Sequence, residues 1–310
     1  MKKYCFGVDV GGTSIKCGLF QIDGLLVDKW EIPTRTDNHG EAILPDIAKA
    51  IEAKLEEKGI QKEETAGIGV GVPGPVNAQG DVLCAVNLFW GYKKVSQELS
   101  DMTGMLVKTE NDANIAALGE SWKGAAAGSQ NVVMVTLGTG VGGGIIVNGK
   151  ILSGSHGASG EIGHINVDHE EEDACNCGNH GCLEQMASAT GVVRLARKVL
   201  DACDRESVLR KENLTAKDVF DAYKAGDVLA SEIVEKFGDY LGGALAAITC
   251  VTDPEVIVVG GGVSKAGQPL IDCVVKYYKK YAFSACKETP IILAALGNDA
   301  GIYGAAKMVI

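Results

Sequence analysis

His164, Cys175, Cys177 and Cys182 fall within 19 residues, spaced His-x10-Cys-x-Cys-x4-Cys, with Gly178 and Gly181 between the last two cysteines. Thiolates with one imidazole are the donor set of a closed, tetrahedral, structural zinc site. The spacing departs from the paired Cys-x2-Cys of common fingers, so a loop of reduced thiols is the competing reading. Glu161 and Glu184 flank the cluster. Beside a rigid metal knot, these carboxylates could accept hydrogen bonds from several hydroxyls of one polyol. Taken as residue types alone, they read more ordinarily as solvated surface acids. The run Glu170-Glu171-Glu172-Asp173 reads as a solvated acidic loop.

A second set of residues suits phosphate chemistry. Asp9-Val10-Gly11-Gly12-Thr13 sits between two strand-like runs. Backbone N–H groups of Gly11 and Gly12, with the Thr13 hydroxyl, could meet phosphate oxygens, and Asp9 could hold Mg²⁺ directly or through water. Taken alone, the segment is equally an ordinary hairpin turn. A second turn, Gly138-Thr139-Gly140 with Gly142-Gly143-Gly144 beyond it, raises the phosphate reading, because two such turns could grip a polyphosphate from both sides. Gly261 and Gly262, after a buried strand, could admit a flat nucleoside base against the backbone. No Gly-x4-Gly-Lys-Ser/Thr loop is present, which excludes a P-loop enzyme. Asp112, next to Asn111 at a strand-to-helix junction, is the candidate general base; on spacing alone a helix N-cap is the preferred role for it.

The elements that must position these groups alternate between strand and helix. Tyr4–Val10 reads as a strand and Cys17–Gln21 as its hairpin partner. Leu44, Ile47, Ala48, Ile51 and Leu55 recur at helical spacing before Gly59, a cap. Ile68–Val72 and Met105–Lys108 read as strands, the second leading through Glu110-Asn111-Asp112 into a helix that runs to about Trp122. Asn131–Leu137 and Gly144–Val147 flank the second glycine turn. A long helix follows at Leu229–Val251, then strands at Val256–Val259 and Ile291–Ala294. Both halves open as strand, glycine turn, strand, which suggests two related α/β units with a ligand cleft between them.

Composition narrows the function classes. Of 310 residues, 46% are hydrophobic, enough for a sizeable core, and 41 are glycine, much of it in short loops. The net charge of -11 argues against nucleic acid as a partner. Met1-Lys2-Lys3 is followed almost at once by a strand, so no export signal is expected. The uncharged run Leu241–Thr252 is too short for a bilayer. A cytoplasmic protein without a membrane partner is expected, with the ungrouped cysteines as reduced, mostly buried thiols.

Together these residues resemble the ROK family of sugar kinases and related repressors. The resemblance covers nearly the whole chain and rests on six segments: 9–13, 69–76, 110–114, 137–140, 160–164 and 175–184. It implies the α/β, actin-like ATPase (ribonuclease H-like) fold, with ATP and sugar meeting between two lobes. The expected lobes are residues 1–112 plus about 297–310, and residues 113–296 carrying the zinc loop. It implies Asp112 as catalytic base and Asn87, Asn111, Asp112, Glu161, His164 and Glu184 as sugar ligands. Asp9, Gly11, Gly12, Thr13, Gly138, Thr139, Gly140, Gly261 and Gly262 would serve Mg²⁺-ATP. His164, Cys175, Cys177 and Cys182 would hold zinc, His164 using one nitrogen for zinc and the other for a hydroxyl. The resemblance overrides the cap reading of Asp112 and the surface reading of the two glutamates.

Within the family the chain is most similar to the bacterial glucokinases. The implied reaction is ATP-dependent phosphorylation of glucose to glucose 6-phosphate, and a homodimer is the family expectation. Other hexoses or N-acetylhexosamines (fructose, mannose, N-acetylglucosamine, N-acetylmannosamine) and a non-catalytic sugar sensor are the alternatives. Ser14 stands where many relatives carry lysine, and Lys16 keeps a basic group on the same hairpin. Only eight residues precede Asp9, which leaves no room for the DNA-binding domain that the family's repressors carry there.

Overall fold

A computed structural model of the chain describes residues 1–310. In chain order the elements begin with β1 (Tyr4–Val10), β2 (Ser14–Gln21), β3 (Leu26–Pro33), a one-turn α1 (Asp37–Gly40) and α2 (Ile43–Lys58). Then come β4 (Thr65–Val72), α3 (Val95–Thr103), β5 (Val107–Asn111), α4 (Asp112–Lys123), β6 (Val132–Leu137), β7 (Val141–Val147) and β8 (Lys150–Ile151). The remainder is α5 (Leu183–Ala187), α6 (Ala189–Asp201), α7 (Ala216–Lys224), α8 (Val228–Thr252), β9 (Val256–Gly260), α9 (Gln268–Tyr281), β10 (Ile291–Leu293) and α10 (Ala300–Lys307).

The strands form two five-stranded sheets, in the orders β3-β2-β1-β4-β5 and β10-β9-β6-β7-β8. In the first, β1 runs antiparallel to β2 and parallel to β4, and β4 runs parallel to β5. The second repeats the theme, with β9 parallel to both β6 and β10. Strands buried on both faces read as largely apolar runs, as the Val- and Ile-bearing β4 and β9 do, and β1 up to Val8.

Two compact units result: Met1–Gln130 with Gly144–Gly160 and Ala295–Ile310, and Asn131–Gly143 with Glu161–Ala294. In the first unit α2 buries Leu44, Ile47, Ile51 and Leu55 along one face. It ends at Gly59, whose left-handed φ of 64° lets its N–H reach Glu56 O and Leu55 O. In the second unit α8 is buried along Leu229, Ile233, Phe237, Leu241, Leu245 and Ile248. No helix is long and apolar enough to cross a membrane.

Several expected bounds shift. The strand expected at Met105–Lys108 runs instead over Val107–Asn111, which carries Glu110 and Asn111 to its end. The strand expected at Gly144–Val147 begins earlier, at Val141, so Gly142 and Gly143 belong to β7 rather than to the turn before it. All ten cysteines are free thiols, and Cys84 and Cys250 are exposed rather than buried.

Candidate active site and metal cluster

In the first unit, β5 delivers Asn111 to the mouth of α4. Its side-chain oxygen accepts the N–H groups of Ala113 at 2.9 Å and Asn114 at 3.2 Å. Asn111 is therefore the N-cap, not Asp112, which stands one residue inside the helix. That corrects the spacing-only reading by one position. The Asn111 amide also donates to Gly74 O at 3.1 Å, tying it to the Pro73-Gly74-Pro75 turn. Glu110 braces the junction. Its Oε1 accepts the Asn111 N–H at 2.9 Å and the Asn114 amide at 3.1 Å, and its Oε2 accepts the Ser153 hydroxyl at 2.8 Å. Sequence reasoning did not single out Glu110 or Ser153, whose partnership spans 43 residues.

Asp9, the next-to-last residue of β1, lies opposite Lys16 of β2. Burial pushes its carboxyl up to about 6, against the pull of the Lys16 charge, and the Asp112 charge pushes the same way as burial. Lys16 Nζ donates to Asn298 O at 3.0 Å. The first residues of α10 crowd the carboxylate: a Cβ on Gly301 would lie 2.6 Å from Asp9 Oδ2, so only glycine fits there. The adjacent turn closes through Gly11 N–H to Ser14 O at 3.0 Å, while Gly12 and Thr13 are exposed. Thr13 O accepts the Thr34 N–H at 3.0 Å. A Cβ built on Gly12 would sit 3.7 Å from Asn87 Cβ, so the exposed Asn87 borders the same turn. The first unit thus groups Asp9, Gly12, Thr13 and Asn87, with Asp112 in charge range of Asp9.

In the second unit, the Gly138-Thr139-Gly140 turn closes through Gly138 N–H to Gly140 O at 2.9 Å. The start of α6 anchors it: Ala189 N–H donates to Gly138 O at 2.8 Å, and the Thr190 hydroxyl to Thr139 O at 3.0 Å. Glu184 lies against the same turn, its Oε2 accepting the Val141 N–H at 3.0 Å. Ala189, Phe220, Gly262, Val263 and Ala266 line a mainly apolar cavity of about 300 Å³. Gly261 does not line it; its φ of 85° and the close backbone of Leu137 are what require glycine there.

The four expected metal ligands converge. One donor atom from each of His164, Cys175, Cys177 and Cys182 lies within 4.8 Å of all the others. Cys177 Sγ is 3.6 Å from Cys182 Sγ, and Cys175 Sγ is 3.9 Å from His164 Nδ1. Tetrahedral zinc–thiolate bonds of about 2.3 Å imply ligand separations of about 3.8 Å, so the cluster fits such an ion. Burial pushes the Cys182 thiol up to about 12, whereas hydrogen bonding at Asn179 pulls Cys177 down. His164 Nε2 points the other way, 3.8 Å from Glu161 Oε2. Cys182 is also the N-cap residue of α5, which places Glu184 in that helix's first turn.

The acidic run before the cluster is not uniformly solvated. Glu171 is buried, at 7% exposure, and pairs with Arg194 and Lys198 of α6. Burial alone would raise its carboxyl, but hydrogen bonds from Arg194, Lys198 and the Asp173 N–H outweigh that and hold it down to about 2.

Known proteins resemble this chain along its whole length. The ROK family pattern matches residues 5–310. A protein named glucokinase from Halalkalibacterium halodurans is 44% identical over 313 aligned positions, covering 99% of this chain and 95% of that one. The ROK hexokinase structure from Thermus thermophilus superposes with a TM-score of 0.82 at 33% identity, covering 98% of this chain and 97% of that one. A ROK family glucokinase from Streptomyces griseus, solved in complex with glucose and AMPPNP, gives 0.76 at 31% identity, covering 98% of each chain. With its two sheets of matching plan, the chain belongs to the ROK family and has that family's actin-like ATPase fold.

Proposed function

We propose that this chain is an ATP-dependent kinase that transfers the γ-phosphoryl group of ATP to the 6-hydroxyl of glucose. The observation that carries the reading is the division of labour between neighbouring residues in the first unit. Asn111 takes the helix cap; Asp112, the first residue of α4, accepts the Ala113 N–H through Oδ1 at 2.9 Å and stands in charge range of Asp9, a second carboxylate whose pKa burial raises to about 6. Carboxylates kept in different environments take different roles in acid–base and cation chemistry.

In the mechanism we infer, the sugar oxygen attacks the γ-phosphorus in line as Asp112 Oδ accepts its proton. Asn87, Asn111, Glu161, His164 and Glu184 would hold sugar hydroxyls. Gly12, Thr13 and the Gly138–Gly140 turn would serve the polyphosphate, and the apolar cavity at Gly262 would take the base. Asp9 would hold Mg²⁺, which when bound neutralises phosphate charge. A carboxyl raised by burial, with one lysine nearby, fits a cation-binding role. His164, Cys175, Cys177 and Cys182 would hold a structural zinc that fixes Glu161 and Glu184. The similarity to proteins named glucokinase and to the glucose- and AMPPNP-bound structure supports the sugar and the donor. We also propose a homodimer, which light scattering tests.

ADP release from ATP and Mg²⁺ across hexoses and N-acetylhexosamines tests the reading. Turnover that depends on sugar and is strongest with glucose supports it; a different preferred sugar keeps the mechanism and changes the substrate. Silence across the panel from folded, metal-loaded protein contradicts it and favours a sensor.

A further inference from the structure

The cysteine loop between Ile165 and Cys182 is fastened to α6 by an ion-pair cluster centred on the buried Glu171. Glu171 Oε1 accepts Arg194 Nη2 at 2.6 Å and the Asp173 N–H at 3.0 Å, and Oε2 accepts Lys198 Nζ at 2.8 Å. The Glu171 side chain is only 2% exposed. Arg194 reaches on to Asp173 Oδ2 at 2.5 Å, and its Nη1 is buried without a partner. Gln185 donates to Asp173 O at 2.9 Å, and the Tyr240 hydroxyl to Asp168 Oδ2 at 2.8 Å. Separating one partner from a buried ion pair is strongly unfavourable, because it strands the other charge. The loop and α6 must therefore move together.

Each end of this assembly reaches a different part of the proposed site. The loop carries Cys175 and Cys177 and follows directly on His164, whose Nδ1 faces Cys175 and whose Nε2 faces Glu161. The first turn of α6 holds the Gly138–Gly140 turn through Ala189 and Thr190. We infer that Glu171, clamped by Arg194 and Lys198, is a positioning residue that couples sugar binding to nucleotide binding within the second unit. The inference rests on the kinase reading above. Sugar that orders Glu161 and His164 sets the loop; the clamp passes that order to α6; and α6 sets the nucleotide turn.

Calorimetric titration of the full, metal-loaded chain tests this. Glucose and Mg²⁺-AMPPNP are each titrated alone and in the presence of the other. In the wild type, each ligand tightens the other by about fivefold or more, with equal factors in both directions. Glu171→Gln and Lys198→Met keep the metal content and bind both ligands singly, but the factor falls below about twofold. Lys198 is half exposed, so Lys198→Met supplies the test if Glu171→Gln does not fold. A wild-type factor near one, or an unchanged factor in a folded clamp variant, overturns the inference while the kinase reading stands. Failure of the wild type to bind either ligand overturns the kinase reading, and the inference with it.

Discussion

Glu184 Oε2 accepts the Val141 N–H at 3.0 Å, and a Cβ added to Gly140 would lie 2.2 Å from that same oxygen. A carboxylate assigned to the sugar is thus packed against a turn assigned to phosphate. Gly140→Ala must displace one of them. We expect sugar and ATP KM values both to rise, with stability little changed, because the displaced atoms are the far end of the flexible Glu184 side chain. Gly138→Ala is the control for the sugar KM alone, because its Cβ would meet nothing in the protein closer than 3.9 Å and leaves Glu184 in place. Steady-state kinetics and thermal melts check this; a Gly140→Ala enzyme with unchanged KM values would contradict it.

The Asp9 carboxyl predicts a pH-dependent stability. Its folded-state pKa of about 6 exceeds the ordinary 3.8, so folding favours the protonated form. Below about 4 both states hold the proton and nothing is lost. As pH rises to about 6 the unfolded chain releases its proton first, and above that the charged carboxylate costs roughly 3 kcal/mol. Asp9→Asn should therefore melt several degrees higher than wild type at pH 8, with little gain at pH 4, while losing Mg²⁺-dependent turnover. Equal gains at both pH values would show that burial of the charge is not the cause.

Asn111 separates capping from ligand binding. Asn111→Ala loses the cap and should cost about 1 kcal/mol. Asn111→Ser keeps a capping oxygen but not the amide that reaches Gly74, so its stability should stay near wild type while its sugar KM rises. Denaturant melts alongside kinetics decide it; a Ser variant as destabilised as the Ala variant would refute the cap assignment.

Metal analysis should find one zinc per chain. Its removal by a chelator frees Cys182, the residue that starts α5, and so loosens Glu184 two residues on. Sugar affinity should fall by at least tenfold, a loss of the size typical for disrupted metal environments. A metal-free chain that binds glucose as before would refute the role of the cluster.

Much of this arrangement is legible in the sequence where it depends on neighbours in the chain. The metal ligands are local in spacing, and β1 and α8 announce themselves by unbroken or periodic apolar residues. The strand β3 does not, because its half-exposed alternation carries Asp28, Lys29 and Glu31 and reads as loop. Glu171 looked solvated because its partners lie 23 and 27 residues further on, in α6, and nothing local signals them. The cap was misplaced by one residue because Asn and Asp are both good caps, and the choice follows from where β5 ends. The Glu184–Val141 bond spans 43 residues and appears only once α5 and β7 are folded.

The most direct test of the central claim is the Asp112→Asn enzyme, assayed for glucose-dependent ADP release and, separately, for glucose binding by calorimetry. If Asp112 is the base, turnover falls by about 10²–10⁴-fold while glucose affinity stays within a few-fold of wild type. Turnover within a few-fold of wild type would contradict the account.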